Sequence, residues 1–420
     1  MTLESARLGT VRPSATVRMA ALARAMQSEG RDVISLASGE PDFDTPGNIR
    51  RAAIEAIEKG RTKYTTVDGI PELKAAVAAK FEWDNGLHYD VDEISVAPGG
   101  KAVIYNALVA TLSAGDEVII PAPYWVSYPD LVRLAGGTAV ILPTESARDF
   151  KLEPAALEAN ITARTKWLIL NSPSNPTGAV YGPDELRRIA DVLLRHPHVW
   201  VLSDDIYEHI LFDGRRFATI AQIEPRLLDR CLTVNGVSKG YAMTGWRIGF
   251  AGGPKPIIEL MAKVMGQTTS NACSVAQWAA VEALTGPQEF IPARLAIYDE
   301  RRRWVVDEFN RAEGLACTPP DGAFYAFVSC RDQIGRCSPS GRIIEDDEDF
   351  ALELLQSEGV AVVHGSAFGA SGYFRISFAT GTALLKEACA RILRFCSMTS
   401  ETVDLGRRAI EPTPERAMPI

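Results

Sequence analysis

Lys239 stands in "NGVSKGYAMTGWRIGF" (235–250), a stretch built mostly of apolar and small residues. Lysine is seldom buried without a task, because its ammonium loses hydration there. A buried amine can attack a carbonyl carbon or take a proton from carbon. Arg247 follows eight positions later, and its planar guanidinium suits a phosphate or carboxylate. Asp204 comes near the end of "VWVLSDD" (199–205), and Asn175 lies in "WLILNSPSNPTG" (167–178). Gly99, Gly100 and Lys101 end "ISVAPGGK", just before the helix-patterned "AVIYNALVATL". Each has a plainer reading as well: Asp204 fits a helix cap, Gly99-Gly100 a tight turn, and Lys239 a surface loop. Together they ask for one ligand that needs an amine partner, a carboxylate partner and an anion site.

The elements that must position these residues are readable from hydrophobic period. Apolar runs at 117–122, 138–143, 166–173, 199–205 and 230–236 alternate with helical patterns such as "DELRRIADVLLRH" (184–196). That alternation predicts βαβ units and a mostly parallel sheet flanked by helices, with both faces of each strand buried. In such a sheet the ligand crevice lies beyond the carboxyl ends of the strands, where the residues above are found. Near residue 300 the texture changes. A long amphipathic helix (295–312) is followed by short strands, "GAFYAFVS" (322–329) and "YFRISFA" (373–379). This predicts an α/β fold: a large domain around a mostly parallel sheet, plus a smaller α+β domain. The expected division is an N-terminal arm joining the small domain (1–48), a large domain (49–299), a small domain (300–398) and a mobile tail (399–420).

Composition excludes several classes. The net charge of −9 argues against a nucleic-acid binder. Seven cysteines without a C-x-x-C pair suggest reduced thiols rather than a disulfide framework or a thiolate zinc site. Five histidines form no helical metal pair, and phosphate-loop and dinucleotide motifs are missing. No signal peptide or bilayer-spanning run is found, so a cytoplasmic protein without metal or membrane partner is expected.

Pyridoxal 5'-phosphate meets the combined demand. Its aldehyde takes the lysine amine, its ring nitrogen needs a carboxylate, and its phosphate wants backbone N–H groups at a helix N-terminus and a fixed cation. Glycines let the backbone approach closely.

The sequence also resembles the class I aminotransferases of the fold-type I pyridoxal-phosphate enzymes. The resemblance covers roughly residues 10 to 398 and implies a seven-stranded type of sheet in the large domain. It rests on "GEPDFDTP" (39–46), "KYT" (63–65), "GGK" (99–101), "PYWVSYP" (123–129), "NSPSNPTG" (171–178), "SDDIYE" (203–208), "SKGYAMTGWRIGF" (238–250) and "FRISFA" (374–379), in the family's order. It is most similar to bacterial aspartate aminotransferases, including the branch that accepts prephenate.

The resemblance implies a role for each position. Lys239 matches the Schiff-base lysine that also moves the substrate proton, and Asp204 the partner of the ring nitrogen. Tyr207 and Asn175 match donors to the ring's phenolic oxygen, and Trp125 the aromatic stacked on the ring. Gly99, Gly100, Lys101, Ser238 and Arg247 match the phosphate cup. Tyr64 matches a hydroxyl that reaches the phosphate from the neighbouring subunit, which implies a homodimer with shared sites. Arg375 matches the clamp on the substrate α-carboxylate, with the backbone of Gly39 assisting and Trp125 and Asn175 alongside.

Plainer readings stay open for some of them. Trp125 also fits core packing, Asn175 a turn, and Arg375 a structural salt bridge. Gly236 departs from relatives that carry a second serine there, which weakens the role of Ser238. Arg12, in "VRPSAT", sits where the prephenate branch carries a basic residue, and it also fits a solvated loop.

The expected reaction is ping-pong transfer of the amino group of aspartate or glutamate to a 2-oxo acid such as 2-oxoglutarate, oxaloacetate or prephenate. The alternatives are an aromatic aminotransferase, a related lyase, or a ligand-sensing regulator on the same fold.

Overall fold

The computed structural model describes residues 3–5 and 7–401. Seven strands form the large sheet: β1 (Ile94–Ala97), β2 (Glu117–Ala122), β3 (Thr138–Pro143), β4 (Thr165–Asn171), β5 (Trp200–Asp204), β6 (Cys231–Gly236) and β7 (Gly249–Gly252). Their spatial order is β1-β7-β6-β5-β4-β2-β3. Pairings among β2 to β6 are parallel, while β7 runs antiparallel to both β6 and β1. Two reversals cancel, so β1 points the same way as β6. The carboxyl ends of β1, β2, β4, β5 and β6 therefore meet at one edge. The chain winds outward from β2 to β3 and then the other way from β4 to β6. The switch point falls between β2 and β4, where such sheets bind ligands.

Both faces of this sheet are covered. Helices Gly100–Thr111 and Lys255–Thr268 pack on one side with Val118, Ile120, Trp167 and Leu232. On the other side, Phe81, Leu168, Val201 and Phe250 pack with helices Pro71–Asn85, Pro183–Arg195 and Ser274–Thr285. Double coverage explains why these strands read as nearly continuous apolar runs.

The small sheet contains β8 (Ala316–Cys317), β9 (Tyr325–Ser329), β10 (Val363–His364) and β11 (Tyr373–Ser377), antiparallel in the order β10-β11-β9-β8. Ile34–Ser35 pairs in parallel with Val360–Ala361, which ties the N-terminal segment to the C-terminal part. The helix Phe290–Arg311 runs unbroken through position 299/300, so that expected boundary lies inside a helix. Its arginines are not all solvated: Arg301 forms a two-pronged pair with Asp42, and Arg302 with Asp213. Residues 402–420 of the expected tail lie outside the described residues. Thr399 is buried and donates to Gln333 Oε1 at 2.7 Å. Among the described residues no helix is long and apolar enough to cross a membrane.

Candidate active site

The shared edge of the large sheet opens on a cavity of about 440 Å³. Its wall includes Gly39, Gly100, Lys101, Trp125, Asn175, Asp204, Tyr207, Ser238, Lys239, Arg247 and Arg375. Eleven sequence-selected residues, drawn from both sheets and their loops, thus meet at one space. Gly99 stands directly behind the wall. Arg12 and Tyr64 are not part of it. Arg12 precedes the helix Ala15–Ser28 on an exposed segment, whereas Thr16, Val17, Ala20 and Arg24 of that helix do line the cavity. Tyr64 is 90% exposed in the single chain.

Asp204 closes β5, and strand alternation sends its two acidic neighbours to opposite faces. Asp204 faces the cavity, while Asp205 turns inward and accepts from Ser203 Oγ at 2.7 Å. The hydroxyl of Tyr128 donates to Asp204 Oδ2 at 2.5 Å, and the Ile206 N–H reaches Oδ1 at 3.4 Å. Burial raises the Asp204 carboxyl to about 6, with the Tyr128 hydrogen bond, the Ile206 N–H and Lys239 pulling it back.

Lys239 follows β6, and its Nζ donates to the carbonyl oxygen of Gly39. Burial lowers its pKa to about 8, and the positive charge of Arg375 adds to that. A carbon placed on Gly39 would come within 2.2 Å of the Tyr325 hydroxyl, so only glycine fits beside this lysine. The Tyr207 and Tyr325 hydroxyls share a hydrogen bond of 2.7 Å, joining the loop after β5 to β9.

Gly99 has φ of +92° and starts the helix Gly100–Thr111. A Cβ on Gly99 would lie 2.2 Å from Arg247 Nη2, because the guanidinium lies directly against that turn. A Cβ on Gly249 would strike Gly100 N at 2.3 Å, so β7 also presses on it. Among the described residues Arg247 makes one hydrogen bond, from Nη1 to the carbonyl of Thr244 at 2.9 Å. Lys101 Nζ sits 4.9 Å from the centre of the Trp125 ring. Burial, then the charge of Arg247, lowers its pKa. These two cations, with no paired carboxylate among the described residues, form an anion cradle beside a helix N-terminus and buried Ser238.

Arg375, on β11, is 2% exposed. Its Nη1 donates to Asn175 Oδ1 at 2.8 Å and its Nη2 to the carbonyl of Ala37 at 2.5 Å. Nε has no partner, and among the described residues no carboxylate pairs with this cation. Burial lowers its pKa. A buried guanidinium held only by neutral acceptors is costly unless an anionic ligand arrives. Among the described residues, then, Arg375 forms no structural salt bridge.

The site at Gly236 is tight. A Cβ there would meet Ile248 O at 3.0 Å and the Gly249 Cα at 3.1 Å, so a serine would need this backbone to give by a few tenths of an ångström. Sequence reasoning missed Tyr128, Tyr325 and Asn171, all on the cavity wall. Asn171 Nδ2 donates to the backbone oxygen of Asp204 at 2.8 Å, and its Oδ1 accepts from the Asn175 N–H at 2.9 Å. Tyr128 carried one signal: it lies three positions after Trp125, one turn along, and the two rings pack edge to face at 5.3 Å.

Comparison with known proteins gives a consistent result. Residues 31–392 match the family described as aminotransferase class I and II. The chain is 57% identical over 389 residues to a probable aspartate/prephenate aminotransferase of Rhizobium leguminosarum bv. phaseoli, covering 93% of this chain and 97% of the relative. It is 57% identical over 390 residues to the aspartate/prephenate aminotransferase of Cereibacter sphaeroides, covering 93% and 98%. The crystal structure of the Rhizobium meliloti aspartate aminotransferase superposes with a TM-score of 0.92 at 51% identity, covering 95% of this chain and 100% of that one.

Proposed function

Since this chain belongs to the class I and II aminotransferases, we propose that it transfers the amino group of aspartate or glutamate to a 2-oxo acid on pyridoxal 5'-phosphate. The acceptors are 2-oxoglutarate and oxaloacetate, with prephenate a further one. One observation carries the reading: a lysine amine of lowered pKa, a buried carboxylate and, among the described residues, two sets of cations without a paired carboxylate face the same cavity. The similar proteins named for aspartate and prephenate support the substrate class.

The residues fit the cofactor. Lys239 Nζ would anchor it, while the backbone of Gly99, Gly100 and Lys101, with Ser238 and Arg247, would hold its phosphate. Trp125 covers one ring face. The Asn175 amide N–H₂, whose oxygen already accepts from Arg375, and the Tyr207 hydroxyl supply donors for the phenolic oxygen. Tyr64, exposed in the single chain, completes the phosphate site across a homodimer. When bound, pyridoxal phosphate supplies an electron-withdrawing ring that takes up the electron pair left on the substrate Cα. Asp204 keeps a proton on the ring nitrogen. Arg375 binds the α-carboxylate, with the Gly39 backbone assisting, and so orients the Cα–H bond. Lys239 Nζ takes the Cα proton and passes it to the former aldehyde carbon of the cofactor; its lowered pKa favours the neutral amine that this needs.

A distal carboxylate needs a second cation. Arg12 stands off the cavity wall, and Lys101 and Arg24 stand on it. We therefore assign the distal group to Lys101 ahead of Arg12. The test is amino transfer from L-aspartate to 2-oxoglutarate by purified protein, followed with the visible spectrum. The reading predicts oxaloacetate formation and a cofactor band that shifts when aspartate is added. A protein that takes up no pyridoxal phosphate overturns it. A cytoplasmic location is part of the same proposal.

A further inference from the structure

We propose that Tyr128 is a positioning residue that decides where the proton shared by Asp204 and the cofactor's ring nitrogen rests. The inference depends on the reading above that pyridoxal phosphate meets Asp204.

Tyr128 opens the helix Tyr128–Leu134 and is buried against Trp125. Its hydroxyl donates to Asp204 Oδ2 at 2.5 Å, the short end of the range for a hydroxyl on a charged oxygen. Among the described residues it is the only side-chain donor to this carboxylate; Asn171 reaches only the backbone oxygen of Asp204. The other carboxylate oxygen has just the 3.4 Å contact from Ile206, so Oδ1 is left for the ring nitrogen.

The surroundings make this bond decisive. Burial by itself favours the protonated acid at Asp204. Asp205, on the far face of the strand, adds negative charge to the pocket around Tyr128 and Asp204. Tyr207, buried with its hydroxyl kept neutral, faces the same carboxylate without donating to it. Among the described residues, Lys239 is the cation that acts to keep Asp204 ionised. That help weakens once the lysine amine is tied up with the cofactor. The Tyr128 donor then carries most of the work of lowering the basicity of Asp204.

With Tyr128 in place, the shared proton stays on the ring nitrogen and the ring remains positive. Without it, the proton crosses to Oδ1, leaving a neutral ring and a neutral acid. The transfer is internal, so charge balances without another reactant. A neutral ring withdraws electrons less strongly, and it no longer disfavours protonation of the nearby lysine–cofactor linkage.

Tyr128→Phe keeps the aromatic ring against Trp125 and removes only the donor. The holoenzyme of this variant should show the pH midpoint of its visible band raised by about one to two units. Its kcat should fall by about 10- to 100-fold, with KM for aspartate changed by less than about threefold. In an Asp204→Asn background the same substitution should no longer move the midpoint. An unmoved midpoint in a variant that still binds the cofactor overturns the role of Tyr128 and leaves the aminotransferase reading standing. So does an equal shift in the Asp204→Asn background. A wild-type protein without any cofactor band overturns both.

Discussion

The two sheets bring chemistry to the cavity in different ways. The large sheet acts at its rim. Asp204 ends β5, Asn171 ends β4, Lys239 follows β6, and Gly99-Gly100 follow β1. The small sheet acts from within a strand: Arg375 is paired with Phe327 on one side and Val363 on the other. At a rim the chain leaves the ladder, so several segments converge and each turns one group toward the ligand. Inside a ladder both neighbours are fixed, so one side chain gains a rigid direction. A cofactor with a ring, a phosphate and an aldehyde needs many partners from different segments. An α-carboxylate needs a single cation that does not move.

The largest effect should come from the rim. Lys239→Ala should lower aspartate transamination by about 10⁴-fold or more, since anchor and proton carrier are lost together. Next comes the mid-strand cation. Arg375→Ala should reduce kcat/KM by about 10²- to 10³-fold, mostly through KM, for acidic and neutral amino donors alike. A loss confined to aspartate would erase the proposed division of labour. Lys101→Ala should be smaller and selective, costing about tenfold for aspartate relative to alanine. Arg12→Ala should cost less than that; the opposite ranking would return the distal carboxylate to Arg12.

The smallest effect links the two sheets. Burial and Arg375 both lower the pKa of Lys239, so its neutral, nucleophilic fraction grows as pH rises, with its midpoint at about 8. Loading of the apoprotein with pyridoxal phosphate should follow that curve. In Arg375→Gln one lowering influence is gone, so the midpoint of loading should move upward. A midpoint that stays put would mean the small sheet does not influence the rim.

The same contrast explains what the sequence made legible. Strand boundaries emerged within a residue or two because doubly covered strands are nearly unbroken apolar runs: 117–122 coincides with β2, and 166–173 overlaps β4 to within two residues at each end. Rim residues were readable because polar groups ending such runs have few structural reasons to be there. Arg375 was readable as a charge inside an apolar strand. Tyr128 and Tyr325 were not, since a buried tyrosine in an apolar neighbourhood looks like core until its hydroxyl partner is located. The tyrosines pair with Asp204 and Tyr207 from distant parts of the chain, and sequence spacing carries no trace of that. Arg12 was chosen by position along the chain, while the wall of the cavity is set by which face of the following helix turns inward.

The central claim is that Lys239 covalently holds pyridoxal phosphate at this rim. Reduction of the loaded protein with borohydride, followed by peptide mapping, tests it most directly. The account predicts a single pyridoxyl-modified lysine, Lys239, and no modification when L-aspartate has first converted the cofactor to its aminated form. A label on Lys101 or another lysine, or no label at all, would contradict it.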